Sequence, residues 1–228
     1  MGMVITIDGP AASGKTSVSR ELSKILGCPW VSTGAFYRGL AYAAQQMNLN
    51  LDDPIQVTEL AHDSVWKIEM TPEKTKAFFK NQDVTDQIAR EDVGTLASKI
   101  SQYPQVRQSL LDLQRSCAIE NFCLIAEGRD CGTVVFPHAE IKIYLTAHSD
   151  HRAQRRAEEQ GSDKTEIAEL QKQRDMQDTQ RKVAPLQIPA DALVLDTTKL
   201  DLKAVVETVK QHIRSHSKNV VDPSPKNT

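Results

Sequence analysis

Short apolar runs alternate with helix-period stripes at both ends of this chain. Val4-Ile5-Thr6-Ile7 is β-branched and free of charge, the pattern of a strand buried on both faces. Val18, Leu22, Ile25 and Leu26 then recur on one helical face. Pro29-Trp30-Val31 predicts a second strand, and Gly34 to Met47 a helix with Leu40 and Ala44 inward. Leu124-Ile125-Ala126 (ending at Glu127-Gly128), Ile141 to Leu145 and Ala192 to Leu195 predict three further strands. Leu202, Val205, Val206, Val209 and Ile213 form a last helical stripe. Strands alternating with helices predict an α/β fold, a parallel sheet with helices on its faces in three layers. Ligands in such folds lie beyond the carboxyl ends of the strands. The loop after Ile7, Ser32-Thr33, Glu127 to Asp130 and the residues after Leu145 all fall there.

The middle breaks this alternation. Val65 to Glu69 and Lys76 to Lys80 have strand patterns, with Thr71-Pro72 as a turn between them. Ile88 to Ile100 and Val106 to Ile119 have helical ones. Residues 60–120 therefore read as an inserted α+β domain, with an α/β extension of the core as the competing reading. The core is expected at 1–59 and 121–214, and a disordered tail at 215–228, where the chain turns polar and ends in Pro223-Ser224-Pro225.

With 28 basic and 30 acidic side chains the net charge is −2, which argues against nucleic-acid or basic membrane-binding surfaces. No apolar run reaches bilayer-spanning length, and the first strand begins without a leader. Cys28, Cys117, Cys123 and Cys131 lack C-x-x-C spacing and read as reduced thiols of a cytoplasmic protein. A monomer is expected.

Gly9-Pro10-Ala11-Ala12-Ser13-Gly14-Lys15-Thr16 fits G-x-x-x-x-G-K-[ST], between a strand and a helix as a P-loop requires. In that motif backbone N–H groups converge on phosphate oxygens at a helix N-terminus. Lys15 would reach the β- and γ-phosphates, and Thr16 would offer its hydroxyl to Mg²⁺. Arg38, Arg107, Arg129, Arg174 and Arg181 fall in or beside the strand-end segments. Arg174, Asp178 and Arg181 at i, i+4, i+7 would share one helix face, either as a phosphate clamp with an acid for a sugar hydroxyl or as a solvated salt-bridge row. His212 with His216, and His148 with His151, lack a third ligand nearby and read as solvated faces. Trp30 and Trp66 read as packing residues, and Asp8 as a brace for the loop.

Several segments together resemble the bacterial-type cytidylate kinases, over about Val4 to Lys210. They are Ile7-Asp8-Gly9-Pro10 with the rest of the P-loop, Thr33-Gly34-Ala35-Phe36-Tyr37-Arg38 and Tyr103-Pro104-Gln105-Val106-Arg107. Glu127 to Pro137 (E-G-R-D-C-G-T-V-V-F-P) is the most specific, and Arg174-Asp175-x-x-Asp178-x-x-Arg181-x-x-x-Pro185-Leu186 completes the set. The resemblance implies a three-layer P-loop kinase core, a nucleoside-monophosphate-binding insert and a short helical lid near 150–175. It implies that Gly9, Pro10, Ala11, Ala12, Ser13, Gly14, Lys15, Thr16 and Ser17 hold ATP, with Arg152, Arg155 and Arg156 closing over it. Those three arginines read equally as an exposed basic helix face. Ser98, Arg107 and Asp130 would read cytosine, and Thr33 would line the acceptor site. Arg38, Arg129 and Arg181 would grip the acceptor phosphate, and Asp178 with Arg174 would meet the ribose hydroxyls. Lys15, Arg129 and Arg181 would be catalytic. Two departures stand out: Ser32 where the family has an acid, and a short stretch between Arg156 and Arg174.

The implied reaction moves the γ-phosphoryl of ATP to CMP or dCMP. A monophosphate is already anionic near neutral pH, so clustered cations matter more than a general base. A kinase for an alcohol would favour a carboxylate base and need fewer arginines. A UMP or AMP kinase, or an ATP-binding module without turnover, are the remaining alternatives.

Overall fold

The computed structural model describes residues 2–216 except Pro72, Glu120 and Ser162. Five parallel strands form the main sheet: β1 (Met3–Asp8), β2 (Trp30–Ser32), β6 (Cys123–Gly128), β7 (Ile141–Thr146) and β8 (Leu193–Asp196). Their order is β2-β6-β1-β7-β8. Strand period two then sorts the side chains into two cores. Ile5 and Ile7 of β1 and Ile125 of β6 pack with Val18 and Leu22 of α1 (Lys15–Leu26) and Val205, Val209 and Ile213 of α9 (Leu202–His216). Val4, Leu124 and Ala126 point the other way, onto Phe36, Leu40 and Ala44 of α2 (Thr33–Gln46). Helices thus cover both faces, as the apolar runs of the strands require.

The middle segment joins the second core. Helix α3 (Pro54–Ala61) is capped by Asp53, whose side chain accepts from Ile55 N and Gln56 N, and runs across the expected 59/60 boundary. Strands β3 (Trp66–Met70), β4 (Thr75–Phe79) and β5 (Gln82–Asp83) make a small antiparallel sheet. The expected helix over 88–100 is two pieces, α4 (Thr85–Ile88) and α5 (Glu91–Ile100). Arg90 lies between them in extended conformation. Helix α6 (Pro104–Ser116) follows, with proline in its first turn. Val57, Trp66, Phe79, Val93 and Leu110 from this segment share one cluster with Leu40 of α2. Trp66 is buried and its indole donates to Leu60 O at 2.8 Å, and Trp30 is buried too, so both tryptophans pack. Ser32 N donates to Thr75 Oγ1 at 2.9 Å, stitching β4 to the end of β2.

Helices α7 (Ser149–Gln160) and α8 (Lys164–Gln180) form a hairpin around Ala153, Ala157 and Ile167. Helix α9 continues through Ser215 and His216, so those two residues are helical rather than part of a tail. The rest of the expected tail, 217–228, lies outside the described residues.

The cysteine reading needs correction. Cys28 and Cys123 are joined in a disulfide, with Cα atoms 5.4 Å apart and 95 residues between them in sequence. Local C-x-x-C spacing cannot register a pair that the sheet brings together from the entry of β2 and the start of β6. Cys131 remains a buried free thiol.

Candidate active site

The P-loop curls at the end of the central strand. Gly9 has φ +147°, and a Cβ there would stand 2.0 Å from Leu145 O, so only glycine fits. Gly14 at φ 93° turns the chain into α1, whose first residue is Lys15. Buried Lys15 donates to Pro10 O at 2.6 Å and approaches Ser13 Oγ at 3.5 Å. Burial, helped by the nearby Arg129 charge, pushes its ammonium down to about 7, against the pull of Glu127, Asp8 and Asp178. Thr16 is exposed and donates to Glu127 Oε1 at 3.0 Å.

The second wall is the turn after β6, which pairs in register with β1 so that Gly128 lies beside Asp8. Asp8 accepts from Cys131 N at 2.9 Å and Gly132 N at 2.7 Å. Burial pushes its carboxyl up to about 6, although those two N–H groups pull it down. Asp8 thus braces the turn after β6 rather than the P-loop, at the start of a five-residue π-helical turn, Cys131–Val135. Gly128 leaves room for Thr33, whose Oγ1 a Cβ there would meet at 2.2 Å and force aside.

That turn aims two residues inward. Arg129 donates from Nε to Asp178 Oδ2 and from Nη1 to Gly9 O, both at 2.6 Å. It therefore ties the P-loop to α8. Asp130 pairs with buried Arg107 from α6, whose guanidinium stands 5.4 Å from the Tyr37 ring centre. Arg181 sits just past α8 in extended conformation, not on the helix face. Its Nε donates to Ala184 O, while Nη1 lies 3.5 Å from Asp178 Oδ1 and Nη2 3.8 Å from Asp130 Oδ1. Arg181 Nη2 is buried without a hydrogen-bond partner.

A cavity of about 250 Å³ joins these groups. Of the expected residues, Ala11, Ala12, Lys15 and Thr16 line it from the P-loop side. Thr33, Arg38, Ser98, Arg107, Arg129 and Asp130 line it from the sheet and middle segment, and Arg156, Arg174, Asp178 and Arg181 from the hairpin side. Gly9, Pro10, Ser13, Gly14 and Ser17 complete the loop without lining the cavity. Arg152 and Arg155 do not line it either. Arg152 donates to Ala11 O at 3.0 Å and pairs with Asp175 at 2.7 Å. Arg155 donates to Thr197 O at 2.7 Å, and Thr197 Oγ1 in turn holds Ser13 O at 3.2 Å, so both arginines brace the loop from outside. Ser98 Oγ donates to Gln177 Oε1 at 2.5 Å, and Arg38 to Ile88 O and Arg90 O.

Glu91, Glu127, Gln171 and Tyr37 also line the cavity and were not anticipated as site residues. Glu127 could have been, since it ends a buried strand on the ligand side. Seven lining cations face four lining carboxylates, Glu91, Glu127, Asp130 and Asp178, which leaves a positive surplus suited to polyanions. Among the described residues no group of three or more His, Cys, Asp or Glu could hold a metal. The rings of half-buried His212 and exposed His216 lie tilted against each other, 4.1 Å between centres.

The cytidylate kinase family profile matches residues 5–215. A cytidylate kinase of Bdellovibrio bacteriovorus is 61% identical over 215 residues, covering 94% of this chain and 99% of that one. One of Aeromonas salmonicida is 41% identical over 218 residues, covering 92% and 93%. Among solved structures, a gluconokinase from Sinorhizobium meliloti superposes with a TM-score of 0.50 at 10% identity, covering 94% of this chain and 92% of that one, a likeness of fold alone. The core is therefore the α/β fold of P-loop kinases, and the chain belongs to the cytidylate kinase family.

Proposed function

We propose that the protein transfers the γ-phosphoryl group of ATP to CMP and dCMP, giving ADP and CDP or dCDP. One observation carries this reading. Arg181 lines the cavity, and its Nη2 is a buried guanidinium nitrogen without a hydrogen-bond partner, 3.8 Å from Asp130 Oδ1. A buried donor left unmade costs on the order of 1–3 kcal/mol. An acceptor phosphate brings the oxygen to satisfy it and is drawn by the cation surplus of the cavity, whereas a neutral alcohol is not drawn by that surplus.

The donor phosphates fit the Gly9–Ser17 loop, with Lys15 on the β- and γ-oxygens. Arg38, Arg129 and Arg181 receive the acceptor phosphate, and Asp178 with Arg174 the ribose hydroxyls. Asp130, fixed by Arg107, accepts from the exocyclic amine of cytosine, with Ser98 beside it. A uracil carbonyl at that place would face a carboxylate, which favours cytosine. No base is needed, because the attacking oxygen is already anionic. Lys15, Arg129 and Arg181 offset the repulsion between the two nucleotides and stabilise the equatorial oxygens during transfer. Mg²⁺ fits the oxygen pair of Thr16 Oγ1 and Glu127, hard ligands 3.0 Å apart, and would neutralise phosphate charge there. We assign residues 60–120 to acceptor binding and about 150–175 to a lid that keeps water from the γ-phosphate.

A cytoplasmic monomer acting on free nucleotides fits best. Among the described residues no helix is long and apolar enough to cross a membrane. The disulfide pulls against a reducing compartment, where that pair would stand as two buried thiols. A coupled assay of ADP release with ATP, Mg²⁺ and CMP, dCMP, UMP or AMP tests the assignment. Release that depends on CMP or dCMP supports it. Faster turnover of UMP or AMP, or ATP binding without turnover, overturns it.

A further inference from the structure

Glu91 opens α5 in the middle segment, and two arginines of the α7–α8 hairpin grip its carboxylate. Arg174 Nη1 stands 2.5 Å from Oε2, and Arg156 Nε and Nη2 donate to Oε1 at 2.9 and 2.7 Å. Arg174 Nη2 also donates to Glu91 O at 2.7 Å. A third cation, Arg38 of α2, stands close enough to act on the same carboxylate. Arg38 and Arg174 share the space that a side chain at position 94 would fill, a Cβ there meeting their Nη2 atoms at 2.5 and 2.7 Å. Gly94 thus leaves room for the guanidinium groups to converge. Burial works against a charged Glu91, but Arg174, Arg156 and Arg38 together hold its carboxyl below the usual range. Arg156 completes its bonding on Glu159 at 3.2 Å, so its guanidinium is held between the hairpin and the middle segment.

We propose that Glu91 is a positioning residue for phosphoryl transfer: it clasps the α7–α8 hairpin to the middle segment across the cavity and sets Arg156 and Arg174 over the bound nucleotides. The role rests on the kinase reading and adds to it a coupling between the two substrates. The clasp has one half on the acceptor side and the other on the donor side. Loosening it weakens both substrates together and admits water to the γ-phosphate, whose P–O bond to the leaving ADP then breaks as water supplies the new oxygen.

Steady-state kinetics of Glu91→Gln, which keeps shape and removes charge, test this. KM for ATP and for CMP are both expected to rise about tenfold, the loss of one charge-assisted contact. CMP-independent ATP hydrolysis is expected to rise, and kcat to fall less than KM rises. Adding Arg156→Gln should then cost less than it does in the wild-type background, because its ion pair to residue 91 is already lost while its bond to Glu159 remains. KM values within about twofold of wild type, or losses that multiply in the double variant, would overturn the clasp. If Glu91→Gln does not fold by circular dichroism, Arg156→Gln removes the other half from the lid side. A rise in both KM values then supports the clasp, and a rise for ATP alone overturns it. Wild-type protein that turns over CMP separates failure of the clasp from failure of the kinase reading.

Discussion

Replacing Arg129 with alanine deletes two charge-assisted bonds at once, to Gly9 O and to Asp178 Oδ2, each 2.6 Å long. Asp178 is not left alone, because Arg181 Nη1 remains 3.5 Å from its other oxygen. The stability cost should therefore stay near 1–3 kcal/mol, below the roughly 3–5 kcal/mol of an orphaned buried charge. The chemical cost is larger. Removing one fixed donor aimed at developing charge lowers kcat by about 10²–10³, or about 2.7–4 kcal/mol of transition-state stabilisation. Because Arg129 touches the P-loop as well as the acceptor side, the loss should fall on kcat, with KM for ATP and CMP moving by less. Arg129→Lys can keep only one of the two bonds and should lie between. Coupled ADP release, with ATP and CMP each varied against saturating levels of the other, gives kcat and both KM values for the three proteins, and a thermal melt confirms folding. A kcat within about tenfold of wild type, with the whole effect in KM for CMP, would show that Arg129 only holds the acceptor and would refute the bridging role.

Two further outcomes follow from other contacts. Reducing the Cys28–Cys123 bridge, which spans 95 residues, should cost about 2–4 kcal/mol and lower Tm by roughly 4–16 °C; scanning calorimetry with and without reductant reads this, and an unchanged Tm, or four titratable thiols in the unreduced, unfolded chain rather than two, would contradict it. Lys15, held near 7 when ligand-free against an ordinary value of 10.5, should regain its proton as phosphates arrive. ATP binding above pH 7 should then take up a proton and weaken as pH rises. Titration calorimetry at pH 8 in two buffers counts it, and the same count in Lys15→Met would refute the assignment.

Much of the fold was legible because parallel strands buried on both faces leave unbroken apolar runs such as Leu124-Ile125-Ala126, and because a P-loop has strict spacing. The arginines could be placed because they stand beside strand ends. Other features depend on distance in space and leave no local trace. Glu91 looks like any acid in a first helical turn until α7 and α8 deliver Arg156 and Arg174 to it. The extended Arg90 that divides 85–100 serves Arg38, a residue about fifty positions away, by offering it a carbonyl at 2.9 Å. The resemblance puts Arg152 and Arg155 over ATP while their spacing reads equally as a basic helix face, and neither reading shows their bonds to Ala11 O and Thr197 O. The π-helical turn exists because Asp8 holds two amides from across the sheet, and no pattern within residues 131–135 shows that.

The central position of β1 has a consequence for how the protein is made. Both neighbours of this strand, β6 and β7, are encoded after residue 122. On the ribosome the first strand emerges early and must wait, its Ile5 and Ile7 unpaired, while the locally paired β3–β4 hairpin can form as soon as it leaves the exit tunnel. The nucleotide loop is therefore among the first motifs synthesised and among the last shaped. Chains terminated in the first half carry its residues but no sheet to curl them, and so could not sequester the cell's nucleotides.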